Sequence, residues 1–252
     1  MAPSAGRRDR SAWIDPTAVL SPGCVVEDGA WVGADVSLHP HVVVGAGAHV
    51  GAGTVLSAGV CVAPGVVLGE RCLVHPGVVL GFRYRPEGLP GPLAPADPHR
   101  LVVEDDVEIG PNTVVESGQR ATTRIGRGAV LGGQVFLGHD CEIGAGAHLV
   151  SMVGLAGGVT VGEQALLCGQ VGVTGNARIG DRAVVFAHSG VIGNVPDDGR
   201  YLGFPARPRQ SWLRAQALPR LVERLERRIV TLERAIRTSE SADFHTRNDS
   251  SP

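Results

Sequence analysis

The chain has 252 residues, of which 43% are hydrophobic and only 4% aromatic, and its formal net charge is −2 at pH 7. A charge so close to zero gives no support for nucleic-acid binding or for general attraction to anionic membranes. The sequence has no run of 18 apolar residues, and Arg7, Arg8 and Arg10 are not followed by an apolar segment. Neither a transmembrane helix nor a secretory signal is therefore predicted, and we expect residues 1–12 to be disordered.

An aliphatic residue recurs every six positions over residues 14–80, 103–115 and 125–191, and all 27 positions of these series are Val, Ile or Leu. A period of six fits neither an α-helix nor an alternating strand. Hexapeptide repeats are typical of a parallel β-helix, a triangular prism in which three hexads form one coil. We predict an all-β parallel β-helix of about nine coils over residues 13–196, with the aliphatic residues pointing inward.

The position four residues after each aliphatic residue is usually small or β-branched, and we expect it to fill the corner of the coil. Cys24, Cys72 and Cys141 fall on this position, and the total of five cysteines is odd. The pattern favours packing over disulfides or metal binding. It also favours a reducing compartment, so we expect a cytoplasmic protein.

The hexad register breaks twice, and each break predicts a loop. The first, at residues 82–100, inserts 17 extra residues with five prolines, which cannot pair as a strand. The second, at residues 116–124, inserts four extra residues. Long loops on a rigid scaffold often carry function, although tolerated insertions are the alternative.

After the prism, residues 197–238 are predicted to form a turn-rich exit followed by helices. Pro219 is expected to separate a short helix from a longer one. The longer helix carries an apolar stripe at Leu221, Leu225, Ile229, Leu232 and Ile236. One helix cannot bury such a stripe alone, so it packs either on the prism or on copies of itself. Residues 239–252 are polar, and we expect them to be disordered.

The chemistry-bearing residues cluster after the second loop. His139 and Asp140 follow an inward Leu and a Gly, so both are expected to face outward at a corner. Gly157 lies 18 residues further on, one coil away, and is expected to stack on His139. A histidine beside an open backbone N–H suits acyl transfer, because the imidazole accepts a proton and the N–H stabilises an oxyanion. A surface histidine on a solenoid is also often inert.

Several segments carry a resemblance to a known family. They are Gly-Phe-Arg-Tyr at 81–84, Val-Glu-Asp-Asp-Val-Glu-Ile-Gly at 103–110, Glu-Ser-Gly at 116–118, Thr-Arg-Ile-Gly at 123–126, and Tyr-Leu-Gly-Phe-Pro at 201–205. Hexapeptide prisms resemble the left-handed β-helix acyltransferases. From Trp13 to about Leu225, the chain resembles the UDP-3-O-(3-hydroxyacyl)glucosamine N-acyltransferases of lipid A biosynthesis.

The resemblance implies a left-handed coil and a homotrimer with active sites between subunits. It implies that His139 is the general base and that the N–H of Gly157 is the oxyanion donor, and Asp140 is expected to orient the histidine. The expected reaction is transfer of an acyl group from a phosphopantetheine thioester, on acyl carrier protein or coenzyme A, to an amino group of a nucleotide-linked sugar. We expect no bound cofactor or metal.

Further residues are assigned to substrates. Gln134 and Asn176 are expected to bind acceptor or donor, and Phe82 and Tyr84 to stack on a nucleotide base. An acidic carrier protein needs a basic patch, which the arginines after the exit can provide. These are Arg207, Arg209, Arg214 and Arg220.

The sequence also departs from the family. It starts directly with the hexads, so we expect no separate uridine-binding domain before them. Gly132-Gly133 replace the usual Asp-Asn, Asn176 replaces a common second histidine, and His139-Asp140-Cys141 look more like the O-acyltransferase one step earlier or the sugar N-acetyltransferases.

Three alternatives follow from these departures. The first is an O-acyltransferase or sugar N-acetyltransferase of the same fold, and the second is an inactive trimeric scaffold. A γ-class carbonic anhydrase is disfavoured, because it needs three zinc-binding histidines and His148 occupies a different hexad position from His139.

Overall fold

A computed structural model describes residues 7–8, 11–83 and 101–248, with side chains for 11–83 and 101–234. Nearly all strands are only two residues long, because a corner recurs every six residues. The first ten strands are β1 Arg7–Arg8, β2 Trp13–Ile14, β3 Val19–Leu20, β4 Val25–Val26, β5 Trp31–Val32, β6 Ser37–Leu38, β7 Val43–Val44, β8 His49–Val50, β9 Val55–Leu56 and β10 Cys61–Val62. The next ten are β11 Val67–Leu68, β12 Leu73–Val74, β13 Val79–Phe82, β14 Leu101–Val103, β15 Glu108–Ile109, β16 Val114–Glu116, β17 Thr123–Ile125, β18 Val130–Leu131, β19 Phe136–Leu137 and β20 Glu142–Ile143.

The remaining elements complete the prism and add one helix. They are β21 His148–Leu149, β22 Gly154–Leu155, β23 Thr160–Val161, β24 Leu166–Leu167, β25 Gly172–Val173, β26 Arg178–Ile179, β27 Val184–Val185, β28 Gly190–Val191, β29 Arg200–Leu202, β30 Arg207–Pro208 and α1 Arg209–Asn248. Every third strand pairs in parallel, which produces three sheets. Sheet A runs from β1 and β4 to β28, sheet B from β2 and β5 to β26, and sheet C from β3 and β6 to β27, β29 and β30.

The predicted parallel β-helix is confirmed. The second residue of nearly every strand is the aliphatic residue of its hexad, and from Val26 to Val185 these side chains are at most 5% exposed. The corner residues Cys24, Cys72 and Cys141 are also buried, in line with their predicted packing role. The core is thus a stack of identical layers, each covered by the next, and any outward residue recurs at a fixed place one coil further along.

Both ends of the prism extend beyond the predicted bounds. Residues 1–12 were expected to be disordered, but Arg7–Arg8 pairs in parallel with Val25–Val26, and Ala12 is 3% exposed. The backbone edge of β4 provides hydrogen-bonding groups that this segment satisfies. At the other end, the predicted turn-rich exit contains β29, which pairs in parallel with β27 and in antiparallel with β30.

The C-terminal segment forms a separate unit from Arg209. The prediction of two helices divided at Pro219 is wrong, because α1 is continuous and contains this proline. A proline removes one helical hydrogen bond, and in an exposed helix water can satisfy the freed carbonyl. The expected disorder from residue 239 is also wrong as far as Asn248. The segment 238–248 contains neither Gly nor Pro, so nothing in it terminates the helix. No helix within the described residues is long and apolar enough to cross a membrane.

Candidate active site

Both register breaks occur at the same edge of the prism, where sheet A turns into sheet B. The first follows β13 and the second follows β16, and these strands are neighbours in sheet A. The next strand of sheet A, β19, leads directly into the turn that contains His139 and Asp140. The two inserts and the His139-Asp140 dipeptide therefore occupy consecutive corners of one column.

His139 and Asp140 form a hydrogen-bonded pair at this corner. Nδ1 of His139 lies 2.9 Å from Oδ2 of Asp140. The His139 side chain is 36% exposed, whereas that of Asp140 is 12% exposed. Because the carboxylate contacts Nδ1, a neutral imidazole carries its proton there and presents the lone pair of Nε2. Asp140 thus contacts the imidazole as expected of a residue that orients it, although Gly132-Gly133 replace the Asp-Asn that is usual in the family.

The other oxygen of Asp140 binds the second insert. Its Oδ1 accepts hydrogen bonds from the backbone N–H groups of Gln119, Arg120 and Ala121, at 2.7, 3.0 and 2.9 Å. Partial burial raises the pKa of this carboxyl, but the three N–H groups and the histidine outweigh it and lower the pKa to about 2. Asp140 is therefore ionised throughout the neutral range.

The two ends of the second insert hold the backbone of the same dipeptide. Glu116, 4% exposed, lies at the start of the insert, and its Oε2 accepts the N–H of His139 at 2.8 Å. Thr123, fully buried, lies near the end of the insert, and its Oγ1 accepts the N–H of Asp140 at 3.0 Å. In the sequence both residues stand out only as parts of family-like segments, with no role predicted for either. The insert therefore encloses His139 and Asp140, fixing both the backbone and the Asp140 carboxylate.

Gly157 stacks on His139, as its 18-residue spacing predicts. A Cβ atom on Gly157 would lie 2.6 Å from both Cε1 and Nε2 of the imidazole, so only glycine allows this close approach. The carbonyl of Gly157 accepts the N–H of Asn176. Its own N–H donates to no acceptor within the described residues. An N–H group without an internal acceptor thus lies in the turn next to Nε2.

This open N–H results from glycines at two other positions. At six other corners, the N–H of the first turn residue is bound by a carboxylate from an adjacent coil. At three of these corners, the carboxylate belongs to a glutamate just before the equivalent corner of the preceding coil, and it accepts the N–H of Ala46, Arg127 or His139. At the other three, it belongs to an aspartate in the equivalent corner of the following coil, and it accepts the N–H of Glu70, Glu163 or Asp181. For Gly157 these two positions are Gly138 and Gly175, so neither of them supplies a carboxylate to its N–H.

The residues assigned to substrates lie at different distances along the prism. Asn176 is one coil beyond Gly157 at the same column of corners, and its Oδ1 packs against Gly158. Phe82, 44% exposed, is at the end of β13, where the first insert begins. Gln134 is exposed at another corner, between sheets C and A, and its N–H donates to the carbonyl of Pro111. Tyr84 lies outside the described residues.

Sheet A carries almost no side chains beside and beyond His139. In successive coils, the outward-facing strand position of this sheet is occupied by Phe136, Gly154, Gly172 and Gly190. A Cβ at Gly154 or Gly172 would meet open space, whereas at Gly190 it would collide with the ring of Phe204. We call the surface over Gly154, Gly172 and Gly190 the glycine strip. At about 4.8 Å per coil it is about 10 Å long, with an aromatic ring at each end.

Cys141, directly after the pair, does not provide a second nucleophile. Burial raises the pKa of its thiol to about 11, and its Sγ donates to the carbonyl of Ala156 at 3.3 Å. A thiol in this state is not ionised at neutral pH. The imidazole of His139 is therefore the candidate reactive group at this corner.

Comparisons with known proteins agree with the fold. Residues 23–58 match the family described as bacterial transferase hexapeptide (six repeats). UDP-3-O-acylglucosamine N-acyltransferase from Anaeromyxobacter sp. (strain K) is 37% identical over 133 residues, which is 52% of this chain and 34% of that protein. The chain therefore spans about a third of the length of this curated relative.

Solved structures show the same architecture. A crystal structure of UDP-N-acetylglucosamine O-acyltransferase from Moraxella catarrhalis superposes with a TM-score of 0.61 at 26% identity, covering 77% of this chain and 72% of that one. A UDP-N-acetylglucosamine acyltransferase from Bacteroides fragilis gives a TM-score of 0.65 at 19% identity, covering 77% and 72%, and shows the fold alone. The chain is thus a parallel β-helix whose residues 23–58 match the bacterial transferase hexapeptide family, and about half of its length is similar to UDP-3-O-acylglucosamine N-acyltransferases.

Proposed function

We propose that the protein transfers an acyl group from a phosphopantetheine thioester to an amino group of a nucleotide-linked sugar, as in lipid A biosynthesis. The observation that carries this proposal is the juxtaposition of Nε2 of His139 with the open N–H of Gly157. One group accepts a proton and the other donates to an oxyanion, and acyl transfer needs both within a few ångströms.

The reaction uses the two groups in sequence. The amine nitrogen attacks the thioester carbonyl carbon and loses a proton to Nε2 of His139, while the N–H of Gly157 binds the resulting oxyanion. The C–S bond then breaks, and the imidazolium returns the proton to the sulfur. The products are an amide and a free thiol. The ionised Asp140 stabilises the imidazolium formed between these steps.

The glycine strip supports a long, thin donor. A phosphopantetheine thioester is an extended chain, and a surface of glycines lets it lie close to the sheet beside the corner that holds His139. The homotrimer implied by the family resemblance would place a neighbouring subunit over such a surface. Donor and acceptor would then meet at the His139 corner.

The chemical identity of the acyl acceptor is less constrained than that of the acyl donor. The similarity to N-acyltransferases favours an amine. The neighbouring pair of His139 and Asp140, together with the similarity to an O-acyltransferase structure, favours a hydroxyl as the second candidate. Phe82 and Tyr84 remain the proposed contacts to the nucleotide base.

A product screen by mass spectrometry tests the proposal. Purified protein is incubated with acyl-carrier-protein and coenzyme A thioesters and a panel of amino and hydroxy nucleotide sugars. We expect an acylated amine whose formation falls by about 10²–10⁴ in the His139→Ala variant. The matched control is His148→Ala, which removes an exposed histidine from sheet C and should retain the activity.

Other outcomes contradict parts of the proposal. Acylation only at a hydroxyl would place the protein among the O-acyltransferases. No product from any pair, with folded protein, would favour a scaffold. Sedimentation equilibrium tests the homotrimer separately, and a monomer at micromolar concentration would contradict it.

A further inference from the structure

Arg120, in the second insert, is an exposed arginine whose side chain has no partner. Six arginines of the prism do contact one. Five of these lie within 4.0 Å of a carboxylate oxygen, and the sixth lies over the ring of Phe186; they are Arg71, Arg124, Arg127, Arg178, Arg182 and Arg200. Within the described residues, the guanidinium of Arg120 makes no ion pair, hydrogen bond or ring contact. Its positive charge is therefore uncompensated by the chain itself.

The backbone of Arg120 is fixed to the candidate active site. Its N–H donates to Oδ1 of Asp140 at 3.0 Å, and Oδ2 of the same carboxylate lies 2.9 Å from Nδ1 of His139. The N–H groups of Gln119 and Ala121 bind the same Oδ1. Both oxygens of Asp140 are thus occupied, by backbone N–H groups and by the imidazole. The guanidinium of Arg120 therefore remains available, although a carboxylate is bound to its own backbone.

The charges around His139 are otherwise acidic. Glu116 and Asp140 both contact this residue, and within the described part of the chain neither forms an ion pair with an arginine. Two carboxylates at one corner disfavour the approach of an anionic ligand unless a cation is within reach. Arg120 lies on the insert that begins at Glu116 and is bound to Asp140, so it provides this cation. A guanidinium also matches the oxygens of a phosphate group in geometry.

We propose that Arg120 binds a phosphate group of a substrate at the His139 corner and thereby selects phosphate-bearing substrates. The inference rests on the proposed function, in which both substrates carry such a group. One is the diphosphate of the nucleotide-linked sugar, and the other is the phosphate of phosphopantetheine. Because the insert is bound to Asp140, a phosphate held by Arg120 keeps the rest of the substrate in a fixed position relative to the imidazole.

Isothermal titration calorimetry of the full chain tests the inference without turnover. The ligands are uridine diphosphate and phosphopantetheine, each compared with its phosphate-free counterpart, uridine or pantetheine. Arg120→Gln removes the charge but keeps the backbone N–H that binds Asp140, so the insert should stay in place. We expect this variant to bind the phosphate-bearing substrate about tenfold or more weakly, and its phosphate-free counterpart as wild type does. Arg120→Lys should recover part of the loss, and Arg127→Gln, at a different corner, is the matched control.

The two pairs of ligands identify the source of the phosphate. Weaker binding of uridine diphosphate assigns Arg120 to the acceptor, and weaker binding of phosphopantetheine assigns it to the donor. The proposal is overturned if Arg120→Gln binds both as tightly as Arg127→Gln does, or if wild-type protein binds neither. Failure of the acyl-transfer screen is a separate result, because a phosphate preference that depends on Arg120 is measured without any reaction. Such a preference without acylated product would contradict the proposed reaction and retain the phosphate site.

Discussion

Asp140 contacts His139 through a single oxygen, while its second oxygen is shared by three backbone N–H groups of the adjacent insert. The carboxylate therefore couples the position of a short loop to the orientation of an imidazole. A carboxylate held in this way contributes both to folding and to the position of the imidazole.

The stabilising effect of Asp140 should depend on pH in a defined window. Its folded pKa of about 2 lies below the unfolded value of about 3.9, so its contribution is present above about pH 4 and is lost as the pH falls through about 2. We expect Asp140→Asn to lower the free energy of unfolding at pH 6, with the difference from wild type shrinking towards pH 2. Urea unfolding across this range measures it. Asp35→Asn, at an exposed turn, is the control for the loss of one negative charge.

Gly157→Ala should impair catalysis without unfolding the prism. The added Cβ would lie 2.6 Å from Nε2 of His139, so the imidazole must move away from the oxyanion donor. A displacement of about 1 Å can cost about 10²-fold in rate. We expect a fall in kcat with an unchanged circular dichroism spectrum. Gly193→Ala lies in the same column of corners, where a Cβ meets nothing within 4 Å, and should behave as wild type. Equal activity of both variants would argue against the assigned role of Gly157.

Glu116 should act as a structural anchor of the histidine backbone. Glu116→Ala leaves the N–H of His139 without its acceptor, which costs about 1–3 kcal/mol for a buried group. Glu116→Gln retains an acceptor oxygen and should lose much less. The comparison is with Glu27→Ala, because Glu27 binds the N–H of the exposed Ala46 in the same way at 3.0 Å. A larger loss in Glu27→Ala than in Glu116→Ala, measured by urea unfolding, would contradict this account.

The glycine strip should be sensitive to added bulk. At Gly172 a side chain meets open space within the chain, so Gly172→Leu should fold normally. If the donor thioester lies on the strip, the added side chain should raise KM for the donor by about tenfold or more, a loss of about 1.4 kcal/mol in binding. Thr160→Leu introduces the same side chain on the outer face of sheet B and should leave KM unchanged. An unchanged KM in both variants would place the donor elsewhere.

The arginines after the exit should affect the use of acyl carrier protein as acyl donor more than the use of coenzyme A. Arg214 and Arg220 are exposed on α1, and an acidic carrier protein would contact them electrostatically. The double variant Arg214→Glu/Arg220→Glu should weaken the use of acyl carrier protein and spare a coenzyme A thioester. Kinetics with both donors at low and high salt measure this, and unchanged kinetics with carrier protein would remove the patch from the proposal.

The sequence predicts the prism and the His139–Gly157 stack because both depend on a fixed period. Residues 18 positions apart are neighbours wherever no insert intervenes, and none separates His139 from Gly157. Glu116 and His139 are 23 positions apart, since the second insert adds four residues to the usual spacing of 19 seen for Glu27 and Ala46. The six-residue period alone therefore does not predict that Glu116 binds the N–H of His139. A glutamate just before a corner does predict such a bond once the four inserted residues are subtracted from the spacing.

Two other predictions, the helix break at Pro219 and the disorder of residues 1–12, were wrong because local sequence does not show which neighbouring elements a segment contacts. Pro219 disfavours a helix interior, but flanking turns with good helix-forming residues maintain α1 through it. Arg7 and Arg8 have no hydrophobic pattern, yet an open strand edge recruits them through backbone hydrogen bonds that any residue can make. Such pairing depends on the neighbouring element rather than on the side chains, so composition does not reveal it.

The absence of side chains at Gly138 and Gly175 has an evolutionary consequence. An aspartate at position 175 would bind the N–H of Gly157 as Asp181 binds that of Glu163, and it would leave the His139 corner without an open N–H. The reverse substitution, at any corner now closed by a carboxylate, would expose a new donor. Repeated coils of this kind can therefore gain, lose or relocate a reactive position through single substitutions, with the scaffold unchanged.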